Sequence, residues 1–133
     1  MVNRDELNNY CANFLSVSKY KDYCPNGLQV EGSQTINKIV SGVSANLDLI
    51  KLAIDEKADA IFVHHGIFWE NESNVIVGSK RKKIDLLIKN NINLFAYHLP
   101  LDAHSEVGNN VELGRILGIK NMKSVDDLSL IHI

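Results

Sequence analysis

The sequence predicts an α/β domain, a mainly parallel or mixed sheet flanked by helices. Three observations lead there. Apolar runs rich in β-branched or aromatic residues recur: INKIVSGVS (36–44), ADAIFV (58–63) and INLFAYH (92–98). Between them lie segments whose apolar residues repeat with helical period. Regular alternation of the two element types marks a sheet whose strands run mostly parallel, with helices as the crossovers.

The elements follow in order. Asn3 and Glu6 have the spacing of a capping box, with Asn where Ser or Thr is usual. A first helix is expected from about Arg4 to Leu15, with Leu7, Tyr10, Cys11, Phe14 and Leu15 as its apolar stripe. In CPNGLQVEGS, Pro25, Asn26 and Gly27 read as a turn. The run 36–44 reads as the first central strand, ending near Ser44. Ser44 or Asn46 caps a second helix that turns Leu47, Ile50, Ala53 and Ile54 inward. ADAIFV is the second strand. Ile84, Leu87 and Ile88 mark a third helix, ending near Asn90 and Asn91. INLFAYH is the next strand. NNVELGRILG makes a last helix with Leu113, Ile116 and Leu117 inward and Gly118 as its stop. The tail SVDDLSLIHI has the composition of one more strand.

A chain of 133 residues is most simply one domain, large enough for a real core. Its 45% hydrophobic and 23% charged residues fit a folded globular protein. A formal net charge of −2 gives no broad attraction to nucleic acid or to anionic membranes, so neither partner is expected. The amino terminus lacks the apolar core of a signal peptide, and no apolar run approaches the ~18 residues that span a bilayer. Two cysteines, Cys11 and Cys24, make no disulfide framework. The cytoplasm, with both thiols reduced, is the expected location.

In α/β sheets, ligands bind beyond the carboxyl ends of the strands. His64 and His65 stand at that end of one strand, His98 at that end of the next, and Asp102 four residues on. Imidazole and carboxylate are the normal ligands of zinc, manganese and iron. Two readings stand side by side. Adjacent histidines at a turning strand end converge on one metal or serve two; alternatively, each is an ordinary hydrogen-bonded histidine and Asp102 caps a turn. His104, Glu106 and Glu70 read as surface residues, and Phe68 and Trp69 as packing or interface residues.

The segments PNGLQVEG, VHHGIFW and HLPLDA followed by GNN, in that order and spacing, resemble the GTP cyclohydrolase I type 2 family, also called the NIF-three-like family. The resemblance runs from the first helix to about Gly118. It implies a dinuclear centre of two divalent metal ions (zinc, manganese or iron) held by His64, His65 and Asp102. It places His98, Asn26 and Gln29 along the same cavity. It implies a metal-dependent hydrolase acting on a nucleotide-like substrate, assembled as a homohexamer. The family's remaining ligands, a histidine and a glutamate in a His-x-x-x-Glu pattern, come from a carboxyl-terminal lobe, and the family is about twice this length. Residues 1–133 are therefore expected to form a single amino-terminal lobe, with that second lobe absent. A metal-binding or interaction protein without catalysis is the alternative. Residues that carry catalysis are not identified.

Overall fold

The computed structural model describes residues 1–123, so the expected strand in SVDDLSLIHI lies outside the described residues. The elements are β1 (Val2–Asn3), α1 (Arg4–Phe14), β2 (Gly27–Val30), β3 (Thr35–Ile36), β4 (Ile39–Ser44), α2 (Leu47–Asp55), β5 (Ala60–His65), α3 (Gly78–Lys89), β6 (Asn93–Ala96), α4 (Leu99–Ala103) and α5 (Asn109–Ile116). A four-stranded sheet has the order β2-β6-β5-β4, and β1 and β3 form a separate antiparallel pair. β4 and β6 run parallel to β5, whereas β2 runs antiparallel to β6. The fold is α/β with a mixed sheet flanked by helices.

Side-chain caps explain the starts of α1 and α2. Asn3 accepts hydrogen bonds from the Asp5 and Glu6 amides, and Asn46, not Ser44, accepts from the Leu49 amide. Asn91 takes a left-handed conformation just past α3, and Gly118 does the same after α5.

The core has two halves, one on each face of the sheet. Ile61, Val63, Leu94 and Ala96 pack with Ile50, Ala53 and Leu87 of α2 and α3. Ala60, Phe95 and Tyr97 pack with Leu15 and Ile36, and partly buried Leu7, Cys11 and Phe62 join them. Successive residues of β5 and β6 thus serve opposite faces, which is the period-2 geometry of a strand. β6 is buried on both, as a central strand covered by helices must be.

Four sequence expectations need correction. The run 36–44 is not one central strand. Asn37 and Lys38 interrupt it, their amides turning to the Asp59 carboxylate, and β4 beyond them is a sheet edge with Ile39 and Val43 exposed. Gly27, expected to close a turn, instead opens a strand to Val30 that was not foreseen; at φ +114° it enters conformations closed to other residues and starts the pairing with β6. Leu113, Ile116 and Leu117 are exposed, since α5 packs through Gly114, which lies against Met122. Tyr10, Phe14 and Ile88 are also exposed; Tyr10 and Phe14 stack on each other along the surface of α1.

Asn93 ties the start of β6 to two neighbouring loops. It is fully buried, its Oδ1 accepts from the Gly32 amide, and its Nδ2 donates to the Ser33 and Asp59 carbonyls. Gly32 has to be small there, because a Cβ would stand 2.4 Å from the Asn91 carbonyl oxygen. Asn93→Ala removes one acceptor and two donors from a fully buried site, so urea denaturation should show a loss of about 2–4 kcal/mol. A loss below about 0.5 kcal/mol would contradict this role.

Candidate metal centre at the strand ends

Register sets the site. Val63 pairs with Ala96 and Ser44 with His65, so β4, β5 and β6 end together at one rim. His64 and His65 close β5, and His98 lies two residues past β6 at the start of α4. The ring centroids of His64 and His65 are 4.5 Å apart, and those of His64 and His98 are 4.8 Å apart. One potential ligand nitrogen from each of the three rings lies within 4.8 Å of the other two. α4 brings Asp102 round so that its Oδ1 is 3.5 Å from His64 Nε2.

The hydrogen bonds orient the rings. His64 Nδ1 lies 3.1 Å from the Tyr97 carbonyl oxygen. A carbonyl only accepts, so Nδ1 carries the proton, and in the neutral ring Nε2 keeps its lone pair. His98 Nδ1 lies 2.8 Å from Asp22 Oδ1, and the same reasoning leaves its Nε2 free. His65 Nδ1 pairs with the Ser44 hydroxyl at 3.0 Å. All three rings are thus anchored through Nδ1 by the protein.

His64 Nε2 and Asp102 Oδ1 are therefore two electron-rich atoms facing each other. Asp102 Oδ1 already accepts from Asn109 Nδ2 at 2.8 Å. Between an imidazole lone pair and a carboxylate, a positive charge relieves the repulsion. Burial, and then the neighbouring His64 and His98 rings, hold His65 below the ordinary histidine value, although Asp102 pulls the other way. A lowered value keeps His65 neutral at neutral pH, as a ligand must be.

Two residues expected along the cavity sit behind the rings. Asn26 Oδ1 accepts from the His98 amide at 2.7 Å, and Asn26 Nδ2 donates to Asp22. Gln29 Oε1 accepts from the Ile67 amide, and its Nε2 donates to the Pro25 carbonyl. Gln29 therefore ties the loop after His65 to β2. Trp69 stands edge-on to His98 at 5.1 Å, and a cavity of about 350 Å³ opens beside it, lined by Tyr23, Cys24, Pro25 and Phe68 among others.

Sequence reasoning missed Asp22, Ser44 and the Tyr97 carbonyl. Ser44 had a signal, because parallel strands ending at Ser44 and His65 stand side by side. Asp22 had none, lying in irregular chain ahead of the turn. Burial alone would raise its carboxyl, but hydrogen bonds from Asn26, His98, Leu99 and Tyr23 outweigh it and hold the group below the usual carboxylate value. Burial and then Asp22 push the Cys24 thiol up to about 12. His104 is not a free surface residue: its ring bonds the Phe14 carbonyl on one side and accepts from the Glu106 and Val107 amides on the other.

A mixed-sheet α/β lobe with a histidine cluster where its parallel strands end is a recognisable class of protein. The Duf34/NIF3 (NGG1p interacting factor 3) family matches residues 2–130, and the chain belongs to that family. It is 50% identical over 125 residues to a protein of Haemophilus influenzae named GTP cyclohydrolase 1 type 2 homolog, covering 94% of this chain and 50% of that protein. A protein of the same name from Escherichia coli K12 is 51% identical over 114 residues, covering 86% and 46%. Among solved structures, one described as protein ybgI of unknown function superposes with TM-score 0.92 at 47% identity, covering 96% of this chain and 51% of that one. A protein of Thermus thermophilus, TTHA1606, superposes with TM-score 0.89 at 41% identity, covering 94% and 52%. The chain spans about half the length of the curated relatives it matches. No helix among the described residues is long and apolar enough to cross a membrane.

Gly66 follows the histidine pair, and a Cβ there would stand 2.1 Å from Gln29 Oε1. Gly66→Ala should therefore cost about 1–3 kcal/mol in chemical denaturation. Adding Gln29→Ala should cost less than the sum of the two single changes, because the second change removes what the first one strikes. Strict additivity would show that the two positions do not touch.

Proposed function

We propose that the strand-end cluster binds a divalent metal ion and that the chain is the metal-holding part of a metal-dependent hydrolase. The facing of His64 Nε2 and Asp102 Oδ1 at 3.5 Å, with His65 and His98 alongside, carries this reading. The donor set fits zinc, manganese or iron, all of which take imidazole nitrogen and carboxylate oxygen. His64, His65 and Asp102 hold the metal, and His98, which the family resemblance put only along the cavity, becomes a fourth candidate ligand. Four donors on one rim leave room for a second ion only if further ligands share it. A bound divalent ion supplies Lewis-acid activation of water and polarises the bond to be cleaved.

The chain's own residues hold the imidazoles in place through their Nδ1 atoms. The cavity beside Trp69 falls within the range of small-molecule sites, and its aromatic walls suit a planar, nucleotide-like ring. The relatives' name points to GTP as the first substrate to try. The second reading is metal binding without turnover, because the side chains at the rim account for holding an ion and assign no catalytic group.

Zinc or manganese titration should show binding that weakens at least about tenfold, ~1.4 kcal/mol, in His64→Ala and in Asp102→Ala. Unchanged affinity in both variants would remove the cluster from consideration. A GTP hydrolysis assay of the 133-residue chain separates the two readings: metal-dependent turnover supports the hydrolase, and binding without turnover supports the second.

Self-association belongs to the same proposal, with a homohexamer as the form the family resemblance implies. Exposed Ile116 at the end of α5 and Leu117 just past it supply apolar surface for it. Multi-angle light scattering should give a mass above the 14.9 kDa monomer. A clean monomer at high concentration would count against it.

A further inference from the structure

We propose that Asp22 is the positioning residue of the cluster, fixing the proton of His98 on Nδ1 and so turning Nε2 to the rim shared with His64 and His65. This rests on the cation site proposed above. Asp22, Cys24 and His98 lie close enough together to be taken for a metal group of their own. The hydrogen bonds exclude that role for Asp22. Its side chain is only 3% exposed. Oδ1 accepts from His98 Nδ1 at 2.8 Å and from the Tyr23 amide at 2.7 Å. Oδ2 accepts from Asn26 Nδ2 and from the Leu99 amide, both at 2.8 Å. These four donors, with the Cys24 thiol 3.8 Å from Oδ1 as a fifth, fill the acceptor sites of one carboxylate, which leaves nothing for an ion.

What those bonds do is hold His98 from two sides. Asp22 takes the ring, Asn26 takes the backbone amide of the same residue, and Asp22 takes the next amide along. The loop 22–26 thus seats the start of α4. Of the three rings, only His98 has a charged acceptor behind it; His64 has a carbonyl and His65 a hydroxyl. A charge-assisted bond is about twice as strong as a neutral one, so His98 is the most firmly held ring of the three.

An amide at position 22 would undo this. Asn has one acceptor oxygen where the carboxylate has two, and its NH₂ can donate to His98 Nδ1, which drives the ring proton to Nε2 and blocks the ligand atom.

The test begins with the metal-free 133-residue chain. Imidazole ¹⁵N spectra should show His98 as the Nδ1–H tautomer, which needs no variant. In Asp22→Asn the Nε2–H form should appear, and Zn²⁺ affinity should fall about 10–100-fold. Where Asp22→Asn fails to fold, His98→Asn takes its place. Its amide reproduces the Nδ1 donor to Asp22 but offers nothing at Nε2, so near-wild-type thermal stability should accompany the same loss of Zn²⁺ affinity. An Nε2–H ring in the wild type overturns the proposal, as does wild-type Zn²⁺ affinity in a folded Asp22→Asn or in His98→Asn. A wild type that binds no Zn²⁺ overturns the cation site instead, and the tautomer of His98 then decides the role of Asp22 by itself.

Discussion

The parallel pairing of β5 with β6 is the constraint on which everything at the rim depends. Ala60 to Val63 lie against Asn93 to Ala96, residue by residue. That register puts the Tyr97 carbonyl beside His64 and brings His98 level with the histidine pair. A slip of one residue would turn the side chains of one strand to the opposite faces and exchange the two halves of the core. Burial therefore enforces the register: Ile61, Leu94, Phe95 and Ala96 are all inaccessible to solvent. The same packing that stabilises the sheet sets where the rings stand.

Hydrogen bonds refine what the register makes approximate. Asn93 locks the far end of β6 to the β2–β3 connection, and Asn26 and Asp22 lock the near end to the loop before β2. β2 runs against β6, so the segment 22–30 enters beside the rim and leaves along the strand. One piece of chain thereby supplies both an edge of the sheet and the support behind His98.

Much of this was legible in the sequence. The alternation of strand and helix, the carboxyl-end placement of His64, His65 and His98, and the caps at Asn3 and Asn46 all follow from local patterns that burial then reinforces. The illegible parts share a cause. β2 hides in a Pro-Asn-Gly stretch whose turn chemistry outweighs its short strand. Asp22 acts across 76 residues, through bonds that only the folded chain brings into being. The outward face of α5 looks like a core stripe because a helical period reports that one side is apolar, not what covers it.

Cys24 has the last consequence. Its sulfur is 3.8 Å from Asp22 Oδ1, close behind the imidazoles, and at its raised value the thiol keeps its proton at neutral pH. Only a thiolate binds metal strongly or attacks an electrophile. Without a metal, sulfur is thus present at this rim as bulk and absent as charge. The imidazole and carboxylate donors beside it suit borderline and harder ions over cuprous copper or an iron–sulfur cluster.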